Sequence, residues 1–224
     1  MSADGGHNMQ KLALGVHAFQ SQYFSAHRKL FKKLAEGQNP ETLFITCSDS
    51  RVVPHLITDT KPGDLFLVRN IGNVVPHPSL PGGTAAAVEY AIEVLGVQNV
   101  VVCGHTLCGA MRALLDPKSV ENLPFVKKWV DQTENVRKIV RDRYAHLEGN
   151  ELLTAAVEEN VLVQLEHLRE FSFVANRLDK GTLRLAGWVF KIETGQVFEF
   201  EPEAGQFLAI GSDRQPSSRP PPVK

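Results

Sequence analysis

Three short apolar runs, each set off by turn residues and separated by stretches of helical spacing, constrain this fold more than any other feature. Thr42–Cys47, residues 64–69 behind the Pro62-Gly63 turn, and residues 99–103 are too short for helices. They are rich in Val, Leu, Ile and Phe, as buried strands are. Residues 82–95 are alanine-rich and apolar at helical spacing, closed by Gly96, and a helix is expected over 108–115. Strands alternating with helices imply parallel β-α-β units covered on both faces. The expected fold class is therefore α/β, a mostly parallel central sheet flanked by helices.

The rest of the chain fits around that unit. Residues 11–35 read as helical with a break near Ser25; Leu12, Val16, Phe19, Tyr23 and Phe24 mark one apolar face, and Leu30, Phe31 and Leu34 continue it. Gly37, Asn39 and Pro40 stop it. Two long helices are expected over 124–144 and 151–171, then a β-hairpin of 183–192 and 196–201 turning at Thr194-Gly195. This gives a disordered start over 1–8, one domain over 9–210 with a helical arm at 9–37, and a flexible Pro- and Ser-rich tail over 211–224.

Composition excludes several classes of function. The 224 residues carry 24 basic and 25 acidic side chains with no basic stripe, so nothing favours nucleic-acid binding. No apolar run reaches the roughly 18 to 20 residues that span a bilayer, and the polar start lacks the apolar core of a secretory signal. Three cysteines are an odd count and too few for a disulfide framework. A reducing, cytoplasmic setting is the expectation, with clustered cysteines read as metal ligands or nucleophiles. Neither a G-x-G-x-x-G turn nor a G-x-x-x-x-G-K-[ST] loop follows a strand, which argues against a nucleotide-binding protein.

Cys47-Ser48-Asp49-Ser50-Arg51 and Cys103-Gly104-His105-Thr106-Leu107-Cys108 both fall at the carboxyl end of an expected strand. In parallel α/β sheets, sites assemble at that edge. His105 and Cys108 straddle a strand-to-helix turn that can present an imidazole and a thiolate to one ion, with Cys47 as third ligand. Two thiolates and one imidazole suit zinc, and three protein ligands leave a fourth position for water. Taken singly, a strand-end cysteine reads equally as a small core residue and a histidine as a structural one. Asp49 and Arg51 form either a local ion pair at a turn or a pair in which Arg51 holds a working carboxylate in place. Cys103, inside its strand, reads as core.

Cys47-Ser48-Asp49-Ser50-Arg51 followed by His105-x-x-Cys108-Gly109 resembles the signature of the β-carbonic anhydrases. Residues 62–70 and Val88-Glu89-Tyr90-Ala91 resemble family stretches at the expected spacing, and the likeness runs from about residue 10 to residue 200. The resemblance implies one zinc per subunit on Cys47, His105 and Cys108, with Asp49 and Arg51 as catalytic dyad. It implies reversible hydration of carbon dioxide to bicarbonate and a proton by zinc-bound hydroxide. Gln38, nine residues before the first zinc cysteine, with Phe66 and Tyr90, is similar to the plant-like group. There, such aromatic residues come from the partner subunit, so a homodimer or a higher oligomer of dimers is implied, the 9–37 arm packing on the partner. Gly109 matches the glycine after the second zinc cysteine, and Ile71 joins Phe66 and Tyr90 in the implied substrate pocket. Phe44 stands where the group inhibited by bicarbonate carries tryptophan.

Residues 144–149 and 187–195 are most similar to cyanobacterial carboxysomal members, which makes carboxysome shell or scaffold proteins candidate partners. Two other readings of the zinc site are a hydrolase of carbon disulfide or carbonyl sulfide on the same fold, and a non-catalytic zinc-stabilised scaffold of a microcompartment.

Overall fold

The computed structural model describes residues 5–211; residues 1–4 and 212–224, which hold half of the expected disordered start and nearly all of the expected flexible tail, lie outside the described residues. The chain divides into two units, Met1–Gln38 and Asn39–Lys224.

In the first unit, α1 (Gly5–Ala18) runs into a π-helical segment, Phe19–Phe24, and α2 (Arg28–Leu34) follows. The break falls at His27, two residues past the expected Ser25. There, the His27 backbone N–H and its ring Nδ1 both bond to the Tyr23 carbonyl, at 3.0 and 2.8 Å. Phe31 packs against Phe19, Tyr23 and Phe24. The first helix begins at Gly5 rather than Lys11, so residues 5–8, read from sequence as disordered, are helical. Once a turn exists, each further residue gains a hydrogen bond, which carries α1 back through the weak formers Gly5 and Gly6.

The second unit is built on a six-stranded sheet in the order β2-β1-β3-β4-β5-β6. Strands β1 (Thr42–Cys47), β2 (Leu65–Asn70), β3 (Asn99–His105) and β4 (Arg184–Phe190) are parallel; β5 (Val197–Glu201) and β6 (Gln206–Ala209) extend the sheet antiparallel. β1 is buried from Leu43 to Cys47 and β3 from Val100 to His105. Continuous burial is what a central parallel strand requires, and it explains why these runs are apolar without alternation. The register pairs Cys47 with Asn70 and Thr46 with Cys103, so the carboxyl ends of β1, β2 and β3 lie side by side.

Nine helices are present among the described residues. In the second unit, α3 (Pro54–Ile57) follows β1, and α4 (Gly83–Glu89) continues into a π turn, Tyr90–Val94, before Gly96 (φ +68°). Then come α5 (Gly109–Leu115), α6 (Pro124–Val130), α7 (Glu134–Arg143), α8 (Gly149–Arg169) and α9 (Ser172–Asp179). The main core lies between one sheet face and these helices, with Val100, Val102, Val157, Val161 and Leu168 fully or almost fully buried. A smaller cluster of Phe44, Val101 and Cys103 lies on the other face. Glycine decides how closely α8 can lie on the sheet. A Cβ at Gly104 would come within 2.9 Å of Val157 and Val161, and one at Gly187 within 2.9 Å of Val161 and Leu165.

Three expectations differ in detail. The helix over 124–144 is broken by a 3₁₀ turn at Asp131–Thr133, where the buried Thr133 hydroxyl bonds back to the Val130 carbonyl at 2.7 Å and competes with the helical ladder. The helix expected over 151–171 begins at Gly149 and ends at Arg169, and α9 follows it. The hairpin gains a third strand, β6, too short to show alternation, which enters from a turn at Gly205 (φ +62°). No helix among the described residues is long and apolar enough to cross a membrane.

Candidate metal centre

The end of β1 delivers Cys47, and the end of β3 delivers His105; Cys108 caps the start of α5. Between the last two, Leu107 takes a left-handed conformation (φ +58°), unfavourable for a side chain of its kind, which folds the strand-to-helix turn back on itself. The Leu107 carbonyl accepts a 3.3 Å hydrogen bond from Arg51 Nη2. As a result the two sulfurs and an imidazole nitrogen lie within 4.8 Å of one another, all three residues buried.

The chemistry of this donor set fits zinc. His105 Nδ1 lies 2.9 Å from the Thr106 carbonyl, which can only accept, so Nδ1 carries the proton and Nε2 presents its lone pair. Nε2 is buried with no hydrogen-bond partner, an expensive arrangement unless it faces a cation. The sulfurs are unequal. Hydrogen bonding from Cys108 lowers the Cys47 thiol to about 4 against the opposing effect of burial, with His105 and the Gly72 N–H assisting. Cys108 is pushed up by its hydrogen bond to Cys47, by burial and by the Cys47 charge. Two buried thiolates side by side repel each other, and a divalent cation between them is what ionises both.

Asp49 lies beside this group and on Arg51. Arg51 Nε and Nη2 donate to the two carboxylate oxygens at 2.9 and 2.7 Å, and the Arg51 backbone N–H adds a third bond at 3.0 Å. These bonds hold the carboxyl well below the usual carboxylate range. Oδ2 is 3.8 Å from His105 Nε2, so the carboxylate borders the place where the ligands converge. Arg69 fixes the chain on both sides of Ser48, donating to the Cys47 carbonyl (3.1 Å) and the Asp49 carbonyl (2.8 Å).

Other expected site residues are placed as follows. Ile71, just past β2, is 45% exposed and its carbonyl accepts from Trp129 Nε1 at 2.7 Å. Gly109 opens α5 beside Cys108 with no neighbour within 4 Å of where a side chain would start, which leaves space at the site. Phe66 and Tyr90 pack together, ring centroids 6.0 Å apart, with Tyr90 44% exposed. They are not brought to Cys47. Phe66 pairs with Leu43, at the amino end of the strands, four positions back from Asn70 opposite Cys47, a separation of roughly 13 Å along a strand. Gln38 is exposed and closes the first unit. Phe44 is buried against Trp188, ring centroids 5.9 Å apart.

Comparison with known proteins decides the family. Residues 42–197 match the carbonic anhydrase family model. A carbonic anhydrase of Synechocystis is 46% identical over 203 residues, covering 90% of this chain and 74% of that protein. The chain belongs to the β-carbonic anhydrase family. A solved β-carbonic anhydrase superposes with a TM-score of 0.89 at 46% identity, over 90% of this chain and 99% of the other. A second, from the ascomycete Sordaria macrospora and described as tetrameric, gives a TM-score of 0.77 at 28% identity, covering 86% and 96%. β-Carbonic anhydrases are zinc enzymes, and the Cys47, His105 and Cys108 group is positioned for that metal.

Sequence reasoning missed residues that act on the ligands at one remove. Thr106 Oγ1 donates to Glu193 Oε2 at 2.5 Å and accepts from the Ile192 N–H at 3.0 Å, tying the carbonyl that orients His105 to the β4–β5 turn. The Gly72 N–H points at the Cys47 sulfur at 3.4 Å. A glycine just past a strand end was the available signal for Gly72. Thr106 and Glu193 are far apart in sequence, and nothing in their types marks them.

Proposed function

We propose that this chain catalyses the reversible hydration of carbon dioxide to bicarbonate and a proton. The observation that carries the reading is the buried convergence of Cys47, His105 and Cys108 with a free His105 Nε2, beside an Asp49 locked on Arg51. Zinc on these three ligands supplies the Lewis acidity that lets water ionise near physiological pH.

The remaining work falls to the chain. Asp49, kept ionised by Arg51, is an acceptor only; with one face on the guanidinium, its free lone pairs take a hydrogen bond from the attacking oxygen and aim it. Ile71, with Phe66 and Tyr90, offers carbon dioxide an apolar wall, and the open side of Gly109 leaves room for it. Gln38 donates an amide hydrogen bond to the developing bicarbonate oxygen. Because Phe66 and Tyr90 sit at the far end of the strands from their own Cys47, they serve the site of a second copy, and the enzyme works as a homodimer or an oligomer of dimers. The first unit leaves Leu12, Leu14, Val16 and Phe19 exposed, an apolar surface suited to a partner subunit. Two cysteines must stay reduced to hold the metal, which favours the cytoplasm.

The Asp49→Ala protein tests the dyad. It is expected to bind zinc at full stoichiometry and to lose about 100-fold in hydration rate. Unchanged turnover in a zinc-loaded variant would remove Asp49 from the mechanism.

A further inference from the structure

The loop from Ile71 to Pro76, which follows β2, is held by side chains at several points. Trp129 bonds to the Ile71 carbonyl at 2.7 Å. Asn70 bonds both the N–H and the carbonyl of Val74, each at 2.8 Å. His167 Nδ1 donates to the Val75 carbonyl at 2.7 Å. The two remaining grips come from α8, one turn apart. Gln164 Oε1 accepts from the Val75 N–H at 2.8 Å, Gln164 Nε2 donates to Asn160 Oδ1 at 2.9 Å, and Asn160 Nδ2 donates to the Gly72 carbonyl at 3.0 Å.

This relay ends on a metal ligand. The peptide plane preceding Gly72 gives its N–H to the Cys47 sulfur, while Asn160 pulls on the carbonyl that follows. Gly72 has φ +76°, and a Cβ there would lie 2.8 Å from the Cβ of Ala110, two residues past Cys108. The loop therefore touches both cysteine segments with no slack. Asn160 and Gln164 are 1% and 0% exposed on α8, beside the buried Ala156, Val157, Val161 and Leu165. Burying two amides in an apolar layer is unfavourable unless each is satisfied. What satisfies them is this loop.

We propose that Asn160 and Gln164 are positioning residues for the metal, holding the Gly72 N–H on the Cys47 sulfur and so setting how strongly that sulfur donates. The proposal rests on the zinc reading above. An N–H bonded to a ligating sulfur withdraws charge from it and fixes its lone-pair direction, so the amides tune the site without touching it.

The test uses the full chain loaded with zinc or cobalt(II). Asn160→Asp keeps size and the acceptor for Gln164 but sets an oxygen against the Gly72 carbonyl. Its zinc affinity, read by chelator competition, is expected to fall about 10- to 100-fold, and the sulfur-to-cobalt charge-transfer band to shift. Gln164→Glu, which keeps the acceptor for Val75 and loses the donor to Asn160, is expected to shift the band in the same sense by less, and serves if Asn160→Asp does not fold. Leu168→Ala, a buried change on the same helix outside the relay, is the control: it should lower thermal stability and leave band and affinity unmoved. Wild-type band and affinity in the amide variants would overturn the proposal, as would equal changes in Leu168→Ala. A wild-type chain that takes up neither ion would instead overturn the zinc reading itself.

Discussion

Arg51 does two things to Asp49 at once: it aims the carboxylate and it removes the proton that would spoil it as an acceptor. The stability consequence has a definite sign. A carboxyl whose folded value lies below its unfolded value near 3.9 contributes fully above that pH, and the contribution is lost as pH falls through the folded value. Thermal unfolding of wild type and Asp49→Asn from pH 2 to 7 should show a stability difference that is constant above about pH 5 and shrinks below about pH 4. A difference that grew on acidification would show that the carboxyl is not held down by Arg51. Through the neutral and alkaline range Asp49 stays ionised.

At the scale of elements, close approach of α8 to β3 and β4 positions His105 from behind. Gly104, immediately before the ligand, meets Val157 and Val161 at a distance no side chain tolerates. Gly104→Ala is expected to cost about 1–3 kcal/mol by forcing the helix outward, read as a lowered midpoint in urea unfolding. An unchanged midpoint would mean that α8 does not pack as tightly as the geometry requires. The strands and their helices were legible because burial on both faces writes an unbroken apolar run, and Cys47, His105 and Cys108 because a metal accepts few residue types and a parallel sheet gathers strand ends. The third strand of the hairpin and α9 were not: β6 has four residues, and α9 follows α8 with only Glu170 and an extended Phe171 between them. Asn160 and Gln164 were hidden for a different reason. Two amides among the apolar positions of a mixed helix look like tolerated exceptions until the distant loop they bond is in view.

At the scale of the whole molecule, the proposed function requires Phe66 and Tyr90 to serve another subunit's site. Mixing Cys47→Ala with Tyr90→Ala protein tests that without any structure. Each variant alone should be inactive or nearly so. In a mixed dimer the Tyr90→Ala subunit keeps its zinc ligands and receives Tyr90 from its partner. Statistical exchange between equal amounts should then restore about a quarter of wild-type activity. No recovery after subunit exchange would place Tyr90 in the site of its own chain.

The central claim is that three buried ligands hold zinc and that this zinc hydrates carbon dioxide. Stopped-flow hydration of carbon dioxide, measured on preparations of graded and quantified zinc content, tests it most directly. The expected rate rises in proportion to zinc up to one ion per chain and increases toward alkaline pH. Protein fully loaded with zinc that leaves the uncatalysed rate unchanged would contradict it.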